Sequence, residues 1–454
     1  MNIDQRLARV PDYKHFLTVD ELFGHTKHVS QSHPEVACYQ EIGSSTKGDP
    51  IPMITMGDGP DRIMVFACPH PNEPVGAMMV HFLIDELVAD PSLREGRTWY
   101  LLPCVDPDGT RLNEGWFKGP FNIRNYAKHY YRPRPEDQVE WTFPISYKTF
   151  VWNTPTAETR ALMNAIEIAR PKVMYSLHNA GFGGVYYYIS EDLKPIYETL
   201  HRIPTARGLP MSLGEPEMPW AVQFHPAVFK IPKCTDAYDY FEKYGEADPA
   251  SYMTGGASSF EFAERVSSPF CLVTEVPYFK SAKIEDTSQL KETRGQVVLR
   301  GIERSRDMLH TLDRLVKETK PEMTEGAIFI NAVTVFVESS LKSLPSQERW
   351  ATDSPGMDQP ATVAQLADAF HVASFYKMLL GSMLQRAFSA QLALAPTPVV
   401  RRASEELEAH LERWATEIET NLEYEVVPIR DLVQVQYGAL LAVLEGLAKK
   451  DSAA

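Results

Sequence analysis

The chain has 454 residues, 44% of them hydrophobic, enough for one large core with a smaller one or for two to three modest ones, and a formal net charge of −15. That acidic balance argues against nucleic acid or an anionic membrane as the main partner, because those surfaces attract basic patches. Five cysteines without framework spacing argue against disulfides, and Met1–Leu7 lacks the basic-then-apolar order of a secretory signal, so the expected compartment is the cytoplasm. No stretch reads as apolar over the roughly 18 residues a spanning helix needs.

In chain order, Thr18–Phe23 carries a short helical pattern, and His25, His28 and His33 follow in a polar stretch that reads as solvated surface. From Val36 the pattern is strand-like. Val36–Ile42, Ile51–Met56 and Ile63–Ala67 are β-forming runs broken by Gly, Asp and Pro, a hairpin feeding a more buried strand. Ala77, Met78, Val80, Phe82, Leu83 and Leu87 then mark a helix, and Thr98–Val105 a further strand. Strand, helix, strand is the unit of an α/β fold, whose ligands gather at the carboxyl ends of the strands.

The chemistry sits at those ends. His70 and Glu73 follow Ile63–Ala67, and imidazole and carboxylate are both zinc ligands. A helix from Glu158 to Arg170 precedes the strand Val173–Leu177, which ends at His178, a third ligand candidate. The strand Phe270–Thr274 ends at Glu275, a carboxylate placed to move protons. Two ligands alone are a weak motif, but four chemically useful residues at strand termini point to a zinc hydrolase.

These residues resemble the zinc carboxypeptidase family over roughly residues 17–318. The likeness rests on Thr18–Leu22, Glu41–Ser45 with Lys47–Ile51, His70-Pro71-Asn72-Glu73-Pro74, Asp106-Pro107-Asp108-Gly109 and Glu158–Leu162. The resemblance implies Zn2+ held by His70, Glu73 and His178, with Glu275 as general base. It also implies substrate contacts from Arg124 and Asn125, in Phe121-Asn122-Ile123-Arg124-Asn125-Tyr126, and from Tyr252 ahead of Gly255-Gly256. Two departures bear on substrate: Ile123 stands where the family has an asparagine, and Phe121 where it has the aspartate that orients the first histidine. Asp106, Asp108 or a backbone carbonyl is then left to support His70. Lys118, Arg111 and Arg124 are rivals for stabilising the oxyanion, and His129, His201 and His225 read as structural.

Beyond Pro321 the character changes. Ser288–Glu318 is predicted as one long helix closing a catalytic domain of residues 1–318, and residues 319–454 form a helical domain. Within it Ala327–Leu344 is helical, residues 345–361 form a polar linker, Leu366–Leu394 is apolar nearly all round, and Leu407, Leu411, Trp414, Ile418 and Leu422 recur at helical spacing. The expected class is therefore α/β, a mixed central sheet flanked by helices, with a C-terminal all-α bundle that serves as a dimerising module or as a cap on the pocket. The expected activity is cleavage of an amide bond in a small peptide, or alternatively in an N-acyl amino acid; a binding protein without turnover is the third reading.

Overall fold

The computed structural model describes residues 2–245 and 247–453. Nine strands form one mixed sheet: β1 (Ala37–Ser44), β2 (Pro50–Met56), β3 (Asp61–Ala67), β4 (Arg97–Leu102), β5 (Val173–Leu177), β6 (Tyr186–Ile189), β7 (Gln223–His225), β8 (Val228–Lys230) and β9 (Phe270–Glu275), in the order β1-β2-β4-β3-β5-β9-β6-β8-β7. The central β4, β3, β5 and β9 are parallel to one another, and every residue of β5 is buried, as expected for strands covered on both faces. Helices α1 (Val19–Ser32), α2 (Val75–Ala89) and α3 (Ala157–Ala169) cover this sheet. Each of α1 and α3 begins at a threonine whose side chain accepts the backbone N–H three residues on.

The register of the central strands places the site. Ala67 pairs with Leu177, and Leu177 pairs with Thr274, so β3, β5 and β9 end side by side. The chain leaves the sheet there at three adjacent points, carrying His70, Glu73, His178 and Glu275.

The C-terminal region is helical, with boundaries that differ from expectation. The predicted helix from Ser288 begins at Arg294: residues Gln289–Thr293 are extended and pair with Pro360–Thr362, and α4 runs Arg294–Thr319. Much of the expected linker is therefore ordered, as the end of α5 (Ala327–Asp353) and a strand that returns to α4. A π-turn, Ala367–Val372, leads into α6 (Ala373–Leu394), followed by α7 (Pro398–Leu422) and α8 (Ile429–Ala453). Helices α4, α5, α6 and α7 pack on one another, whereas α8 leaves them to lie on α2 under the sheet. Contrary to the sequence reading, one helix among the described residues is long and apolar enough, by length and composition alone, to cross a membrane: α5, which packs on α4 and α6.

Candidate metal centre and active site

Two local features hold the first two candidate ligands. Cys68, just past β3, has a φ of 53°, a left-handed conformation that costs a non-glycine residue about 1–3 kcal/mol and turns the chain sharply before His70. Gly76 lies in the first turn of α2, where a Cβ would stand 2.5 Å from Cβ of Leu177. Only hydrogen there lets α2 approach the end of β5, so Glu73 and His178 face each other across that contact.

The ligand atoms of His70, Glu73 and His178 all lie within 4.8 Å of one another, and all three residues are buried. His178 Nδ1 is 3.1 Å from Glu73 Oε2, and Glu275 Oε1 is 3.9 Å from the same nitrogen. His178 Nε2 is held 2.8 Å from Ser176 Oγ, while the His178 carbonyl accepts from Gln436 Nε2 at 2.8 Å. A side chain from α8 thus braces a candidate ligand, and the Tyr175 hydroxyl adds a second tie by donating to the Gln436 carbonyl at 3.0 Å.

The donor set fits a divalent cation. His70 Nδ1 is buried with no hydrogen-bond partner among the described residues, the condition of a ligand atom lacking its ion. Burial first, then Arg132 and His178, hold the His70 imidazole well below its ordinary pKa and so keep it neutral, as a ligand must be. Charge balance agrees: Glu73, Glu140, Glu217 and Glu275 line the pocket against the single guanidinium of Arg132. Burial first, then Glu73 and Glu217, push the Glu275 carboxyl well above the usual carboxylate range, with Arg132 opposing.

Support for His70 comes from an unexpected direction. Asp106 instead accepts the Gly109 N–H at 2.8 Å, and Asp108 accepts from Ser45 Oγ and the Lys47 N–H. Phe121 packs with Phe16 and Trp116. The Trp141 indole stacks on the His70 ring at a centroid distance of 6.0 Å and 25° between planes.

The expected substrate residues are not gathered here. Arg124 turns outward to α7, where Glu419 receives two of its hydrogen bonds, at 2.8 and 2.9 Å, and Glu412 and Thr416 the others. The Asn125 N–H donates to the side chain of Asn122, which caps the helix, and its side-chain amide donates to the Pro120 carbonyl. Tyr252 stacks on Phe241 and lines a neighbouring cavity of about 560 Å³. Lys118 is tied to Glu21 and Arg111 to Asp20 and Asp49, so none of the three oxyanion rivals points into the inner pocket. His201 lies tilted against His225, which stacks on Tyr197, and His129 abuts Gly115. His25, expected on the open surface, instead lies against His81 and 2.8 Å from Asp85.

Three pocket residues escaped the sequence reading. Arg132 donates to Glu73 Oε1 at 3.2 Å and to Gln138 Oε1 at 3.0 Å. Glu140 accepts from the Ser259 hydroxyl at 2.6 Å, and Trp141 follows it. The one available signal for Arg132 was its place between two tyrosines and Pro133, whose ring restricts the preceding residue to extended conformations.

With this geometry in place, the comparisons agree with the resemblance. Residues 24–207 match the family model described as zinc carboxypeptidase, a span that contains His70, Glu73 and His178 but ends before Glu275. That segment is similar to a zinc carboxypeptidase domain. Carboxypeptidase A from Helicoverpa armigera is similar at 15% identity, over 61% of this chain and 70% of that one, with a TM-score of 0.39. A metallo-carboxypeptidase from Burkholderia cenocepacia is similar at 17% identity, over 57% of this chain and 60% of that one, with a TM-score of 0.32. The family is one of zinc-dependent hydrolases, and the His-Glu-His cluster is the candidate site for its metal.

Proposed function

We propose that the chain hydrolyses an amide bond in a small peptide or peptide-like substrate, with His70, Glu73 and His178 holding Zn2+ and Glu275 as general base. The observation that carries this reading is the convergence of the three candidate ligands and Glu275 at adjacent strand ends, inside a cavity of about 170 Å³. Zinc, when bound, supplies a Lewis acid that acidifies water and polarises a carbonyl, and its charge draws the neighbouring carboxyl back toward ionisation. Glu275 then takes a proton from the attacking water and returns it to the leaving amine. Arg132 supplies a fixed positive group for charge developing on the scissile carbonyl. Ser176 and Gln436 hold the His178 ring and backbone, and Trp141 limits the His70 ring from one side.

A second reading, hydrolysis of an N-acyl amino acid, is favoured by Arg124. Its guanidinium is engaged on α7 and Ile123 is buried, so the terminal-carboxylate grip implied by the resemblance is not formed by that segment. Zinc-loaded protein assayed against dipeptides and N-acyl amino acids, with Glu275→Gln as blank, separates the two readings. Equal rates for the wild type and the blank overturn both.

A further inference from the structure

Helix α6 brings two polar side chains to the cavities around the site. Tyr376 lines the inner pocket together with His178, Glu275 and Arg132, and its hydroxyl accepts the Gly181 N–H at 3.3 Å, three residues beyond His178. It also lines the two larger cavities outside, of about 980 and 560 Å³. Lys377, the next residue, lines both of those outer cavities, which share Tyr376 with the inner pocket.

Near Lys377, Glu215 and Glu217 have partners, whereas Asp368 Oδ2 and the Lys377 ammonium have none among the described residues. In the larger cavity Glu215 is paired with Arg294 at 2.6 Å, and Glu217 accepts from the Tyr188 hydroxyl at 2.9 Å. Asp368, on the π-turn leading into α6, is buried and its carboxyl is pushed well above the ordinary range by that burial and then by Glu215, which favours its neutral form. The smaller cavity holds two further cations, Arg132 and Lys233, paired with Glu73 and Glu264. Among the described residues, no hydrogen bond or ion pair involves the Lys377 ammonium. Burial is the cause acting on it, and it lowers the pKa, with no neighbouring carboxylate raising it. A half-buried ammonium without a counter-charge is costly, and an incoming anion relieves that cost.

The same helices remove one cation from the catalytic half and add another. Glu412 and Glu419 on α7 occupy Arg124, while α6 supplies Lys377 to the two outer cavities. We propose that Lys377 receives a carboxylate of the substrate, so that the enzyme selects anionic peptides or acylated amino acids and the appended helices form part of its specificity site. This deepens the amide-hydrolase reading and rests on it.

The test measures binding apart from turnover. N-acetyl tripeptides ending in Glu or Gln, each as free acid or C-terminal amide, are titrated into the zinc-loaded Glu275→Gln protein, with and without Lys377→Met or Lys377→Arg. The expected result is about tenfold tighter binding of the anionic members, an advantage that falls to twofold or less in Lys377→Met and is largely kept in Lys377→Arg. The comparison within the set shows whether the terminal or the side-chain carboxylate is read. No preference in the unsubstituted background, an unchanged preference in Lys377→Met, or an equal loss for the neutral peptide overturns the proposal. Hydrolysis of the same peptides by the zinc-loaded wild type is scored separately, so a failure of the hydrolase reading is seen on its own.

Discussion

The ends of β3, β5 and β9 converge on one cluster, whereas the helix starting at Ile123 sends Arg124 outward onto α7. Both segments carry polar residues of the family pattern, yet only the first builds the pocket. The difference is one of constraint. A residue at a strand end or a few steps past it takes its position from the ladder, and Ala67, Leu177 and Thr274 lie in register. A residue on a helix surface goes where its neighbour allows, and the neighbour here is α7 with Glu412 and Glu419.

The largest effects should come from the strand ends. His70→Ala or His178→Ala should bring bound zinc, read by metal analysis, from one equivalent to near zero, with activity lost. Glu275→Gln should keep the metal and lower kcat by about 10²–10⁴. Metal retained in both histidine variants would show that the cluster is not the binding site. Arg132→Ala follows, with an expected loss of about 10²–10³ in kcat, the usual effect of removing a donor to a developing oxyanion. A change confined to KM would move Arg132 from the chemistry to ground-state binding.

Further out, Gln436→Leu probes how α8 supports the sheet. Losing the bond to the His178 carbonyl should weaken zinc about 10–100-fold, the usual scale for groups that orient a ligand, measured by competition with a chelator. An unchanged zinc affinity would reduce α8 to a cover for the sheet. Arg124→Ala should do less. Its ion pairs with α7 are partly exposed, so about 1 kcal/mol of stability is at stake, with kcat unmoved. A hundredfold fall in kcat would erase the contrast between the two segments.

Legibility followed the same division. The strands β1–β5 and β9, the helix after Glu73 and the four residues at strand ends could be read because apolar runs and their terminators are local signals. The short strands β6, β7 and β8 were not, since Tyr186–Ile189 and Val228–Lys230 are made strands by pairing partners distant in sequence. Gln289–Thr293 read as helix because it borders α4, and it is extended only because Pro360–Thr362 returns to pair with it. Arg132, Glu140, Lys377 and Gln436 carry no spacing that marks them. Each reaches the site through tertiary packing, so their roles became visible only with the fold.

The most separable expectation concerns Asp106, which is buried near the cluster without lining the pocket. Burial is the main cause pushing its carboxyl from 3.8 up to about 7, aided by Glu158 and Asp108 and opposed by the Gly109 N–H. The folded protein therefore holds this proton more tightly than the unfolded chain does. Stability from Asp106 is complete below about pH 4, declines as the pH rises toward 7, and is flat above it. At about 1.36 kcal/mol per pH unit the loss is about 4 kcal/mol. Asp106→Asn keeps an oxygen for the Gly109 N–H and has no proton to lose. Its melting temperature should match that of the wild type near pH 4 and exceed it at pH 8, while zinc-linked effects common to both proteins cancel in the difference. Parallel stability curves from pH 4 to 8 would show that Asp106 titrates like an ordinary carboxylate, and that the ground beneath His70 is wetter than the packing around Pro71 and Gly109 implies.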